Sequence, residues 1–291
     1  MSNIGLIIEE RSRDIGDFMV GRLLPFRKKR MVGPFTFIDH MGPSLIGPGR
    51  YMDVGQHPHI GLSTLTYLFQ GSIMHRDSLG SEQLVEAGGV GWMTAGKGIV
   101  HTERTPANLR DGRTFTAHGY QVWVALPKHL EQMDPEFSYT PADALPSWTT
   151  DGVRYTLVAG EAFGRQSPVP VHSELFMVDV QATDSTTFEA GDQLRGEIGI
   201  CVVNGYIEAC GQRIEAGNML VSKQEDACNI TIGDNTHLLL FGGQPFPEER
   251  FIEWNFVALK KETIARAKQR WIDQQFDLIP GETGYIRWPG A

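Results

Sequence analysis

A chain of 291 residues has room for two ordinary domains or one large β structure, with ample surface to bury in either case. Hydrophobic residues at 41%, charged residues at 21%, 33 glycines and 16 prolines describe a turn-rich globular protein and exclude a disordered chain. A formal charge of -9 argues against the clustered basic face that direct nucleic-acid binding requires, and the one basic cluster, Arg27 to Arg30, reads as a solvated loop. The chain holds no apolar run of about 18 residues and opens without a basic segment followed by an apolar one, so no membrane partner is expected and the expected location is cytoplasmic. Cys201, Cys210 and Cys228 are odd in number and without CxxC spacing, which predicts buried free thiols and neither a disulfide framework nor a thiolate zinc site.

Up to about residue 50, short apolar pieces alternate with turn residues, as in Gly33 to Asp39, Gly42-Pro43 and Gly47-Pro48-Gly49; this punctuation predicts short strands and tight loops. Thr64 to Phe69 is rich in β-branched and aromatic residues and Gly119 to Leu126 alternates, so both predict strands. Residues 135–150, with Pro135, Pro141 and Pro146, are expected to be a linker. Strand signals resume at Val153 to Val158, Glu174 to Val180, Gly199 to Val203 before the hairpin dipeptide Asn204-Gly205, and His237 to Phe241. Only Lys261 to Phe276 carries helical spacing, through Ile264, Ala267, Lys268, Trp271, Ile272 and Phe276, and Trp271 is expected to dock it on the β core.

Two anchors point to an internal repeat. Phe69-Gln70-Gly71 matches Val203-Asn204-Gly205 at an offset of 134, and Glu86-Ala87-Gly88 matches Glu215-Ala216-Gly217 at an offset of 129. The first offset sets His57 and His59 opposite Gly191 and Gln193, and the second sets His101 and Glu103 opposite Ile230 and Ile232. Glycine and isoleucine side chains cannot hold a metal, so a second copy of the unit has lost whatever site the first one has.

That site is drawn by two short pairs. Residues i and i+2 share one face of a strand, so His57 and His59, and likewise His101 and Glu103, each aim two donors the same way. Imidazoles with one carboxylate suit a first-row ion such as iron, copper, nickel, manganese, cobalt or zinc, and the lack of a thiolate disfavours structural zinc. A lone His-x-His is often accidental, but seven of the nine histidines precede residue 130 and the second pair follows a glycine-rich turn. His40, His75, His118 and His129 are read as hydrogen-bonded or exposed, with His75 the reserve ligand. Gly91 to Lys97 has phosphate-loop spacing, yet Gly98 stands where Ser or Thr is needed and no helix signal follows. His75-Arg76-Asp77 lacks the later asparagine of a kinase catalytic loop.

Phe37 to Gly42, His57-Pro58-His59, Leu65 to Leu68, His75 to Gly80, Trp92 to Glu103, Gln121 to Val124 and Gly242-Gly243 together resemble the pirin family of the cupin superfamily over most of the chain. The resemblance implies an all-β bicupin, two antiparallel β-barrels of jelly-roll type with a C-terminal helix: an N-terminal metal-bearing barrel at 1–134, the linker at 135–150, a degenerate barrel at 151–258, and a helix and tail at 259–291. It implies iron, Fe(II), held by His57, His59, His101 and Glu103, with copper, nickel, manganese, cobalt or zinc as alternatives. Ile60 and Ser63 depart from residues common in the family, as does the stretch Trp254 to Val257.

The activity the resemblance implies is that of a quercetin 2,3-dioxygenase, opening a flavonol with O2 and releasing carbon monoxide, with Glu103 as candidate base for the 3-hydroxyl proton. Phe35, Phe37, Met52 and Phe69 are candidate apolar walls or ordinary core. A different class stays open, a non-enzymatic redox-responsive regulator acting through a protein partner, and so does a metal-dependent isomerase or sugar-binding cupin.

Overall fold

The computed structural model describes residues 4–15, 19–188, 193–222 and 230–290. Contacts divide the chain into two compact units: one gathers Met1–Ser12, Gly21–Asp39 and Asp143–Phe246, the other Arg13–Val20, His40–Ala142 and Pro247–Ala291. The expected boundaries are therefore crossed twice. The opening strand Ile4–Glu9 pairs with Asn218–Ser222, and the C-terminal segment joins the histidine-rich unit.

In the histidine-rich unit the strands of the repeated part are β1 (Asp53–His59), β2 (Leu62–Gln70), β3 (Ser72–Asp77), β4 (Glu82–Glu86), β5 (Val90–Thr94), β6 (Ile99–Arg104) and β7 (Phe115–Ala125). The other unit answers with β8 (Thr186–Phe188), β9 (Glu197–Asn204), β10 (Tyr206–Ala209), β11 (Gln212–Glu215), β12 (Asn218–Ser222), β13 (Ile230–Ile232) and β14 (Thr236–Gly243). The small sheets run β1-β6-β3-β4 and β8-β13-β10-β11, and the larger sheets hold β5-β2-β7 and β12-β9-β14 in matching order. Both units are antiparallel two-sheet sandwiches, and the ladders stay open instead of closing into continuous barrels.

Both repeat anchors fall on equivalent turns. Gly71 and Gly205 sit between β2–β3 and β9–β10 at φ +85° and +75°, and Gly88 and Gly217 sit before β5 and β12 at +80° and +78°, a region that glycine enters without steric cost. One offset needs correction. Across the small sheets His101 pairs with His57, and Ile230 pairs with Phe188, so Phe188 is the structural counterpart of His57, where the hairpin anchor set Gly191. Phe188 precedes Gly205 by 17 positions (205 − 188) and His57 precedes Gly71 by 14 (71 − 57), so the connections from β8 to β9 and from β1 to β2 differ in length, and an offset taken from the following hairpin does not carry across them. Gly191 lies outside the described residues. Phe188, Ile230 and Ile232 are buried in an apolar cluster with Ile207 and Ile214 that fills this unit.

Residues 135–150 are not a linker. They contain the strands Glu136–Thr140, paired with β5, and Ser147–Thr150, paired with Val153 to Thr156. Pro135, Pro141 and Pro146 fall just outside those strands, where a missing N–H costs no ladder hydrogen bond. The helix α1 spans Lys261–Ile272, and Gln274, at φ +54°, turns the chain out of it before Phe276. Ile264, Ala267 and Trp271 are its buried face, packed with Ile60, Val100, Phe256 and Phe276 in the histidine-rich unit. No helix among the described residues is long and apolar enough to cross a membrane.

Cys201 is buried and outside any disulfide, as expected, whereas Cys210 is disulfide-bonded, against the expectation for it. Cys228 lies outside the described residues. Arg27, Lys28 and Arg30 are exposed as expected of a solvated loop, and Lys29 forms an ion pair with Glu197.

Candidate metal centre

Strand β1 carries His57 and His59 two positions apart, and β6 brings His101 opposite His57 in register. The alternation of a strand turns all three to one face, where they are 8%, 2% and 1% exposed. Ring centroids lie 4.3 Å apart for His57 and His101, 4.9 Å for His59 and His101, and 5.1 Å for His57 and His59. One ligand atom from each ring lies within 4.8 Å of the other two.

Hydrogen bonds fix what these rings can offer. His57 donates from Nδ1 to the Gly55 carbonyl at 2.8 Å, which leaves Nε2 with its lone pair. His59 is tied to the Asn255 backbone, and its Nδ1 has no protein partner; neither has Nε2 of His101. Burial holds the His57 imidazole down at about 4, against the smaller upward pull of the Gly55 carbonyl. Burial also holds His59 and His101 well below the ordinary histidine range, helped by their histidine neighbours. All three are therefore neutral at pH 7, the form in which imidazole binds a metal. Buried lone pairs with no partner are costly, and a first-row divalent ion would take them up. The residues fit a metal.

Glu103 takes a different place. It follows His101 on the same face, but a bulge separates the two in the pairing with β1, where His101 faces His57 and Glu103 faces Val54. Its Oε1 accepts from Thr66 Oγ1 at 3.0 Å, and Gln121 lies 2.9 Å from the same hydroxyl. Desolvation pushes its carboxyl up, opposed by His75, Thr66 and Gln121. The three histidines form the mutually close donor group, and Glu103 is not among them.

Of the expected walls, Phe35 and Phe37 both belong to the unit without the histidine cluster, where Phe35 packs edge-on against Phe241 at 5.0 Å and Phe37 lies under the Arg22 guanidinium. Met52 joins Val20, Met41, Leu68 and Ile73, and Phe69 packs on Tyr67, Tyr120 and His118. Trp123, not foreseen as a wall, stands edge-on to His59 at 5.2 Å. Its position was accessible to reasoning, because Trp123 and Gln121 share one face of an alternating strand. His40 and His118 hydrogen-bond to each other at 2.8 Å and His129 is exposed, as read from the sequence.

The C-terminal tail supports the backs of these strands, and no local pattern announces it. Gln56 is fully buried; its amide donates to the Gly284 carbonyl and accepts from the Ile279 N–H, and its own carbonyl accepts from the Ile286 N–H, each at 2.8 Å. Arg104, next to Glu103, donates two hydrogen bonds to Glu282 at 3.0 and 2.8 Å, and Arg76 adds a third at 3.0 Å.

Comparison with known proteins agrees with this geometry. The family model described as Pirin matches residues 17–124, and the model described as Pirin C-terminal cupin domain matches residues 177–277. A pirin-like protein of Caulobacter vibrioides is 43% identical over 271 residues, covering 92% of this chain and 93% of its own. The crystal structure of a quercetin 2,3-dioxygenase from Acinetobacter baumannii matches with a TM-score of 0.89 at 36% identity, over 98% of this chain and 95% of that one. A bacterial pirin from Escherichia coli, solved in complex with nickel(II), shares the fold at 20% identity and a TM-score of 0.64, over 83% of this chain and 99% of that one. A duplicated sandwich whose first copy keeps three converging histidines, matched along both halves by the family's two models, places this chain in the pirin family.

Proposed function

We propose that this pirin is a metal-dependent dioxygenase that opens the heterocycle of a flavonol such as quercetin with O2 and releases carbon monoxide, with iron as its metal. The observation that carries the reading is the cluster of three buried imidazoles, two of them with an unpartnered buried ring nitrogen, in a chain similar along nearly all its length to a quercetin 2,3-dioxygenase of known structure. In this reading His57, His59 and His101 would hold the metal, with Glu103 as the fourth ligand. The metal, once bound, supplies Lewis acidity and a route for electrons between flavonol and O2.

The chain's own residues have separate tasks. Trp123 and the buried strands keep water from the site, and Glu103 accepts the proton of the flavonol 3-hydroxyl within hydrogen-bond reach. Thr66 and Gln121 hold that carboxylate in place until it is needed.

Oxygen uptake by iron(II)-loaded protein, with and without quercetin, tests the reading. Flavonol-dependent uptake is expected from the wild type, with Glu103→Ala reduced by about 100-fold or more, the scale of a lost general base. Full turnover by Glu103→Ala would remove the base assignment. No flavonol-dependent uptake with any first-row metal would replace the enzyme by a regulator that acts through protein partners.

A further inference from the structure

His75 is 4% exposed and Asp77 0%, and both lie on β3 beside the metal strand β6. The ladder sets Glu103 opposite His75 and His101 opposite Asp77, so β3 presents an imidazole and a carboxylate to the two ends of the His101-Thr102-Glu103 segment. Asp77 is anchored first: its Oδ1 accepts from the Leu79 and Ser81 N–H groups at 2.9 and 3.0 Å. Its Oδ2 lies 3.1 Å from His75 Nε2. Phe137 stacks on the His75 ring at 4.0 Å and 8°, which holds the plane of the imidazole.

A carboxylate can only accept, so Nε2 of His75 carries the proton in that contact. With a single proton on the His75 ring, its Nδ1 is then an acceptor, and it faces Nδ1 of His101 at 3.5 Å. The contact is long for a hydrogen bond, and for that singly protonated ring it runs from His101 Nδ1 to His75 Nδ1. The Nε2 that this leaves unprotonated is the buried His101 atom with no protein partner.

We propose that Asp77 and His75 are a positioning pair that fixes His101 in the Nδ1–H tautomer, keeping His101 Nε2 as an unprotonated metal donor. The inference rests on the metal-site part of the function proposed above, but not on the dioxygenase reaction. Carboxylate–imidazole chains of this kind orient ligating histidines, and losing one weakens metal binding by about 10- to 100-fold.

The test uses full-length protein with imidazole nitrogens labelled in 15N, metal-free, followed by titration with nickel(II). Long-range proton–nitrogen correlation should show His101, assigned by its loss in His101→Gln, as the Nδ1–H tautomer in the wild type. His75→Phe should move it toward a mixture with Nε2–H and weaken nickel(II) binding by about 10- to 100-fold. His75→Gln, whose amide oxygen can accept the same proton, should restore both readouts to within a few-fold of wild type. Asp77→Asn should act like His75→Phe on the tautomer and serves where the phenylalanine variant fails to fold. An Nε2–H tautomer in the wild type, or an unchanged tautomer in His75→Phe, overturns the proposal. So do equal losses in the Phe and Gln variants, and so does complete loss of nickel(II) from His75→Gln, which would make His75 a ligand. If the tautomer pattern holds while quercetin is never consumed, the positioning pair stands and the dioxygenase reading falls.

Discussion

Stripping the metal should make this protein sensitive to mild acid, and His57 shows by how much. Its imidazole titrates at about 4 when folded and at 6.5 when exposed, because burial penalises the cation. Between those two values the unfolded chain binds a proton that the folded chain refuses, so stability falls as pH drops. The slope is about 1.4 kcal/mol per pH unit for one such group, and His57 alone removes on the order of 3 kcal/mol by pH 4. His59 and His101 are shifted the same way and steepen the fall. Glu103 acts in the opposite sense: its carboxyl is raised, so the folded state gains that proton first as pH falls and recovers part of the loss. Urea unfolding of chelator-treated protein, followed by tryptophan fluorescence from about pH 7.5 down to about 5.5, should show a falling midpoint at constant m. His57→Gln should lower the slope by about one proton. A midpoint that stays flat across that range, or a variant with the wild-type slope, refutes the claim that these histidines are held neutral by burial. Nickel(II), taken up by the three histidines in the folded state alone, should protect the wild type by mass action, and an unchanged midpoint would count against the site.

The two units should respond in opposite ways to substitution. His57→Ala, His59→Ala or His101→Ala should abolish metal retention, measured by elemental analysis after gel filtration, while Ile230→Ala should leave metal content unchanged and cost about 2–5 kcal/mol in denaturant unfolding. A metal-depleted Ile230→Ala would mean that the second unit contributes to the site. Glu282→Gln breaks the charge pairing of the tail with Arg104 and Arg76, whose side chains are about a third exposed, so a modest loss of about 1 kcal/mol is expected. Limited proteolysis should then release the segment after residue 276 sooner than in wild type, and equal cleavage rates would show that the Gln56 hydrogen bonds alone hold the tail.

Part of this architecture was readable because its signals are local. The i, i+2 spacing of His57 and His59 is a strand property, and the glycines at 71, 88, 205 and 217 mark turns wherever the backbone needs positive φ. Those four positions exposed the duplication before any strand was paired. Register was not local: the counterpart of His57 is Phe188, three residues from the position that a hairpin anchor selects. The prolines of 135–150 looked like linker chemistry because sequence does not show that each lies at a strand end. Gln56 with Gly284 and Arg104 with Glu282 are contacts across more than 170 residues, with no pattern linking the partners. His75 was legible as a histidine of the right region, but its pairing with Asp77 depends on a ring rotation that only packing against Phe137 settles.

The most direct measurement is headspace carbon monoxide from iron(II)-loaded protein supplied with quercetin and O2, run beside His101→Ala. Carbon monoxide in step with flavonol consumed is expected from the wild type, and none from the variant. Intact flavonol, or ring opening without carbon monoxide, would contradict the dioxygenase reading.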